Sequence, residues 1–344
     1  MLVFHSPDCV RHDPDRFFRR GVMMPHPESP GRYTTLRNAV AAGGHNLIEV
    51  NDNGLAPLAA VHDRDYLEFL EHAWVSATAL DPSVEEIVNT QFVRGQVRRR
   101  PEGFLGQVSY HSSDTSTPIR EGTWGAIYGA AQAAVSAADA LQTERAAYAL
   151  TRPPGHHAGR DFSSGFCYIN NTAVAAARLA ATRDRVAILD IDVHHGDGTQ
   201  AIFYDSANVL TVSVHAETND YFPYFSGYAD ETGSGPGEGF NLNLPLPHAS
   251  GDEVYLDAIQ RGLDRIARHT PDALVIALGL DAADEDPVGV LGVTTDGFRA
   301  AAELIVSAAL PIAVVQEGGY PCPALGRNLE AFLSGFESVS SGTG

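Results

Sequence analysis

The sequence predicts an α/β fold in which a parallel sheet is covered by helices on both faces. Three observations carry this. Short apolar runs rich in branched residues alternate with longer alanine- and leucine-rich stretches of helical spacing. The runs are apolar throughout rather than alternating, as strands buried on both faces require. Polar clusters at 152–157, 190–197, 281 and 317–320 each follow such a run, so they should converge at one edge of the sheet, where parallel sheets bind ligands.

In chain order, Leu2–His5 reads as a short strand. Residues 7–32 are rich in Pro, Arg and His and read as a long loop, which in a compact domain usually has a function. Tyr33–Ala42 and Arg64–Val75 carry helical spacing, and 81–100 is irregular, with the solvated basic run Arg98, Arg99, Arg100. Thr123–Leu141 is an alanine-rich helix, and Ala146–Leu150 is a buried strand. That strand runs into T-R-P-P-G-H-H-A-G, where two prolines and a glycine forbid helix and fix a turn bearing His156 and His157. Thr172–Ala181 is helical, Val186–Leu189 is a strand, and Val209–His215 is another. Residues 216–240 form an aromatic, glycine-rich loop. Asp252–His269 is a helix with Asp252 as its cap. Ala273–Leu280 is the most apolar strand, Thr295–Ala309 is a helix, and Pro311–Gln316 is a last strand that ends in E-G-G-Y.

Composition narrows the function. The chain has 344 residues, 44% of them hydrophobic, with no linker-like stretch, which fits one domain over 1–344. A net charge of −20 argues against binding the nucleic-acid backbone and suits a cationic small substrate. No apolar run is long enough to span a membrane, and no signal peptide is evident. Cys9, Cys167 and Cys322 form no disulfide framework, which fits a reducing cytoplasm.

The chemistry centres on I-L-D-I-D-V-H-H-G-D-G-T. On an extended chain Asp190, Asp192 and His194 point to one face at the carboxyl end of a strand. Oxygen and nitrogen donors of this kind suit zinc or another first-row divalent metal. A bare Asp-x-Asp would read as an acidic turn before a helix near Gly198. Three ligand-type side chains on one face argue otherwise. Asp281 sits at another strand end, so Asp192, His194 and Asp281 make a three-ligand set that leaves a position for water and substrate. In such a metal-assisted hydrolase His157 is the base, Tyr320 donates to the developing oxyanion, and Asp190 and Asp197 orient histidines.

The segments R-P-P-G-H-H-A, D-I-D-V-H-H-G-D-G-T-Q, G-L-D-A-A-D-E-D-P and Q-E-G-G-Y together resemble the motif set of the zinc-dependent histone deacetylase superfamily. Within it the chain looks most like bacterial acetylpolyamine amidohydrolases, through V-H-D-R-D-Y-L-E-F-L, G-F-C-Y-I-N-N and F-P-Y-F-S-G-Y-A-D-E-T-G-S-G. The resemblance implies the arginase/deacetylase fold, with about eight parallel strands flanked by helices on both faces. It implies one Zn2+ on Asp192, His194 and Asp281, and a tandem pair His156 and His157 supported by Asp190 and Asp197. It also implies a structural K+ near Asp190, Asp192, His194, Ser213 and Val214, and an alkyl tunnel lined by Gly165, Phe166 and Phe222. Polyamine-specific members carry two glutamates at the tunnel mouth. Leu105 and Ser116 stand at those positions here, and Asp114 is the nearby candidate contact. The implied substrate is a small cationic acetylated amine, and the implied assembly is a homodimer through the 17–32 loop. The alternative within the family is a protein acetyl-lysine deacetylase.

Overall fold

The computed structural model describes residues 1–93 and 97–340, the side chains to residue 336. Residues 94–96 of the stretch expected to be irregular, and 341–344 of the expected 1–344 domain, lie outside the described residues. In chain order the elements are β1 (Leu2–His5), β2 (Arg16–Arg19), β3 (Val22–Pro25), α1 (Pro30–Ala42), β4 (Asn46–Glu49), α2 (Ala56–Ala59), α3 (Arg64–Leu80), α4 (Phe104–Tyr110) and α5 (Thr123–Ala140). There follow β5 (Ala146–Leu150), α6 (Asn171–Ala180), β6 (Val186–Asp190), α7 (Asp197–Phe203), β7 (Val209–Ala216), β8 (Asn241–Leu246) and α8 (Asp252–His269). The last are β9 (Ala273–Leu278), α9 (Thr295–Ser307), β10 (Ile312–Gln316) and α10 (Leu325–Ser340).

Eight strands form one sheet in the order β4-β1-β5-β10-β9-β6-β7-β8, and every pairing in it is parallel. The apolar runs sit inside it because both faces are covered. Ala187 and Leu189 of β6 feed a core shared with α1, α8, α9 and α10, whereas Val186 and Ile188 feed a second core shared with α3, α5 and α6. This is the period-two alternation of a strand with two buried faces. The four central neighbours β5, β10, β9 and β6 are the strands whose carboxyl ends carry the polar clusters.

Two sequence expectations change. Residues 7–32 are not one loop: Arg16–Pro25 pairs as an antiparallel hairpin, β2 with β3. Its two-residue turn has positive φ at Arg20 (50°) and Gly21 (84°), the geometry whose twist suits a hairpin. Asp252 is not a cap either. Gly251 holds the cap position of α8, and the Asp252 carboxylate instead accepts from the backbone and hydroxyl of Thr294 at 2.8 and 2.6 Å, which ties α8 to α9. Among the described residues no helix is long and apolar enough to cross a membrane.

Candidate active site

The stretch after β6 does not stay extended. Asp190 Oδ1 accepts the amide of Asp192 at 3.0 Å, and Asp192 Oδ1 accepts the amide of His194 at 2.8 Å. Each carboxylate thus bonds its own backbone two residues on, and the chain coils through two successive Asx turns. These turns, rather than a strand face, bring the three side chains together.

Asp281, just past β9, completes the group. The ligand atoms of Asp192, His194 and Asp281 all lie within 4.8 Å of one another, and all three residues are buried. His194 Nδ1 is 3.1 Å from Asp192 Oδ1 and 3.3 Å from Asp281 Oδ2. The remaining carboxylate oxygens are held by backbone: Asp192 Oδ2 accepts from Gly318 at 2.7 Å, and Asp281 Oδ1 from Val193 at 3.3 Å. Gly318 has to be glycine, because a Cβ there would collide with both carboxylates. Apart from its ion-pair contact with His194, Asp281 Oδ2 is buried and accepts no hydrogen bond among the described residues, an expensive state for a carboxylate oxygen. Burial works against charge on His194, but Asp192 and Asp281 outweigh it and hold the imidazole up at about 9. The pocket therefore favours positive charge at the point where three donors meet, and the residues fit a divalent cation.

Another trio, His156, Cys167 and Glu317, is equally close but already satisfied. Glu317 accepts from the amides of Gly155 and His156 at 2.6 and 3.0 Å and from the Thr172 hydroxyl at 2.6 Å. Its buried carboxyl is still pushed up to about 7, because burial outweighs those donors. Glu317 fixes the histidine turn after β5 from the end of β10. It follows a buried strand directly, and that position was the signal available in the sequence.

On that turn, His156 Nδ1 lies 2.9 Å from Asp190 Oδ2, and His157 Nδ1 lies 2.7 Å from Asp197 Oδ1. Burial opposes charge on His156, but Asp190 and Asp192 raise its pKa well above the usual value. Burial and the neighbouring His156 lower that of His157 to about 4. At neutral pH an imidazolium thus stands beside a neutral imidazole, whose ring is 4.8 Å from Phe222 and 5.8 Å from His194.

His157, His194 and Tyr320 lie in the wall of a cavity of about 240 Å³, together with Gly165, Phe166 and Phe222. Tyr320 is 3% exposed; its amide donates to Asp286 at 2.7 Å, and its ring meets Phe166 edge-on at 5.6 Å. Burial pushes its phenol far above the ordinary range, so it stays a proton donor. Tyr221, which the sequence reading passed over, stacks on His194 at 4.8 Å. Asp114 lines the same cavity, but its carboxylate is occupied: Oδ2 accepts from Gly165 at 2.8 Å, and Oδ1 from the Ser116 amide and hydroxyl at 2.7 and 2.6 Å. Ser116 is on the wall, whereas Leu105 is 66% exposed on α4 and outside it. Ser213 sits opposite Asp190 in the β6–β7 ladder, its hydroxyl 2.8 Å from His215 Nδ1, and Val214 beside it is buried. A roomier groove of about 440 Å³ beside Asp65, His72 and Arg100 holds none of these groups.

The family model of the histone deacetylase domain matches residues 26–336. An acetylpolyamine amidohydrolase of Burkholderia pseudomallei is 44% identical, covering 98% of this chain and 99% of the relative. Acetylpolyamine amidohydrolase 1 of Pseudomonas aeruginosa is 42% identical over 99% of this chain and 100% of its own. The crystal structure of acetylpolyamine aminohydrolase from Burkholderia pseudomallei superposes with a TM-score of 0.95 at 43% identity, covering 98% of this chain and 99% of that one. A TM-score this high means that the eight-stranded parallel sheet and its flanking helices are the arginase/deacetylase fold. The family model takes in the histidine turn, the donor cluster and the Gly-Gly-Tyr turn alike, and the chain belongs to the histone deacetylase family.

Proposed function

We propose that the chain is a zinc-dependent amidohydrolase that removes acetyl groups from small acetylated amines, with residues 1–344 acting as one deacetylase domain. The observation that carries this is the buried Asp192–His194–Asp281 donor set, whose His194 lines the cavity and whose Asp281 Oδ2 accepts no hydrogen bond among the described residues. A zinc ion held there would serve as a Lewis acid toward the acetyl carbonyl and acidify an attacking water. His157, neutral and fixed through Nδ1 by Asp197, presents its other nitrogen to take that water's proton and return it to the departing amine. His156, held by Asp190, supplies positive charge beside it. Tyr320 donates its phenolic proton as a hydrogen bond to the acetyl oxygen while negative charge gathers there. The amide C–N bond breaks, and acetate and free amine leave.

A potassium ion held near Asp190, Asp192, His194, Ser213 and Val214 belongs to the same reading. Phe166 and Phe222 wall the cavity, which suits a slim alkyl chain and not a folded protein's surface. Together with the relatives' names, this makes acetylpolyamines the first substrates to test.

The test has two arms. On zinc-loaded protein, kcat/KM is expected to be higher for acetylputrescine, acetylcadaverine and acetylspermidine than for an acetyl-lysine peptide, and the reverse order would favour a protein deacetylase. Asp281→Ala is expected to emerge from dialysis without metal. A fully loaded variant by elemental analysis would overturn the ligand set.

A further inference from the structure

The charged side chains in the wall of the cavity, apart from its histidines, are Asp114, Arg19 and Arg20. They are unequal. Both carboxylate oxygens of Asp114 are bound within the protein, by Gly165, Ser164 and Ser116, so little of its charge is available to a ligand. Neither arginine side chain has an ion-pair or hydrogen-bond partner among the described residues.

Arginines at a hairpin tip are ordinarily just solvated. These differ in how they are held. Phe17 and Arg19 are two apart on β2 and therefore point the same way. Phe17 is half-buried and meets Phe166 edge-on at 5.7 Å, so this face of the hairpin lies against the tunnel wall. Arg19 shares its face and is also half-buried, while Phe18 between them is 55% exposed and reaches only the rim of the cavity. Arg20 occupies the positive-φ turn next to Gly21, which fixes its backbone rather than leaving it free.

We infer that Arg19 and Arg20 form a carboxylate subsite at the rim of the cavity. The enzyme's range then includes acetylated amines whose far end is an acid, such as ω-acetamido acids and free Nε-acetyl-lysine. This rests on the deacetylase reading and adds to it a class of substrate whose far end is an acid. Guanidinium groups bind carboxylates by paired N–H donors, which an ammonium end cannot exploit. The overall charge of −20 does not reverse this, because at physiological salt charges beyond about 8 Å are largely screened and contacts at the rim prevail.

The experiment uses three acetamides of matched length on the zinc-loaded full chain: 6-acetamidohexanoate, N-hexylacetamide and acetylcadaverine. The carboxylate is expected to exceed the neutral amide in kcat/KM by roughly tenfold, mainly through KM, with the advantage shrinking in high salt. Arg19→Gln combined with Arg20→Gln is expected to bring that ratio to about one, and Arg19→Lys to restore part of it. A carboxylate no better than the neutral amide, or a preference that survives both glutamines, would overturn the subsite. If none of the three is hydrolysed, the deacetylase reading fails, and the subsite is then judged by calorimetry. Tighter binding of 6-acetamidohexanoate than of N-hexylacetamide supports it, and equal binding refutes it.

Discussion

Tyr320 is held from two sides. Its amide is fixed by Asp286, and its ring is in contact with Phe166 and with the guanidinium of Arg32, 5.4 Å from the ring centroid. The phenol therefore needs no rearrangement before it donates, which is what makes such a donor effective. Tyr320→Phe keeps the packing and removes the donor. Zinc content should be unchanged while kcat falls by roughly two to three orders of magnitude, the scale for one oxyanion donor; near-normal kcat would remove Tyr320 from the chemistry. At this scale the sequence was informative wherever a residue's type states its use. Asp192, His194, Asp281 and the histidine pair stood out as ligand and acid–base types at strand ends. Glu317, Tyr221 and Arg32 did not, because their use depends on what distant segments bring to them. Arg32, for example, is buried against Glu28 and donates to the carbonyl of Gly319.

His62 shows how a single ring holds elements in place. It is buried between α2 and α3, and its Nε2 accepts from the amide of Asn170, the N-cap of α6, at 2.9 Å. Its Nδ1–H faces the carbonyl of Arg160 at 3.3 Å. Burial disfavours the charged ring and lowers its pKa to about 4, and a second proton would in addition have to point at the Asn170 N–H. A lowered folded-state pKa gives stability that is present above the unfolded value, about 6.5, and is lost as pH falls through the folded one. The loss amounts to about 3 kcal/mol between those limits. His62→Gln, which can still accept from Asn170, should flatten the drop in urea midpoint between about pH 7 and 4.5; an undiminished drop would clear His62 of this role. Elements were legible where apolar runs or alanine-rich helices declared them. The β2–β3 hairpin was missed because its signal, Arg-Gly in a turn, is weaker than Asn-Gly. Strand β8 was missed because its Asn241 and Asn243 are buried by hydrogen bonds to Gln200 and to the Glu231 segment, not by apolar contact. Pro245 sits in the same strand at the sheet edge, where a missing donor costs no ladder bond.

For the whole molecule, strands followed by polar clusters were enough to give the fold class, because a parallel sheet gathers its strand ends on one edge. The order of strands was not legible. The pairing of β10 between β5 and β9 depends on long-range packing that no local pattern encodes. Assembly belongs to this scale as well. Phe18 and Met23 oppose each other across the hairpin and therefore share a face, exposed at 55 and 60%, an apolar pair of the kind that marks an interface. Light scattering should give a dimer, and Phe18→Ser with Met23→Ser should give a monomer; a wild-type monomer would refute the interface.

The carboxylate of Asp192 accepts the amide of Gly318 across 126 residues of chain, and Glu317 accepts that of Gly155 across 162. Both links join the ends of the central strands. No fraying of a terminus and no swing of a surface loop reaches them. The amides of Gly318 and Gly155 can meet solvent protons only when the middle of the sheet comes apart, so they belong with the slowest-exchanging hydrogens of the protein. The donor set and the folded state then open as one event, and partial unfolding that spares the central strands leaves the donor set in place.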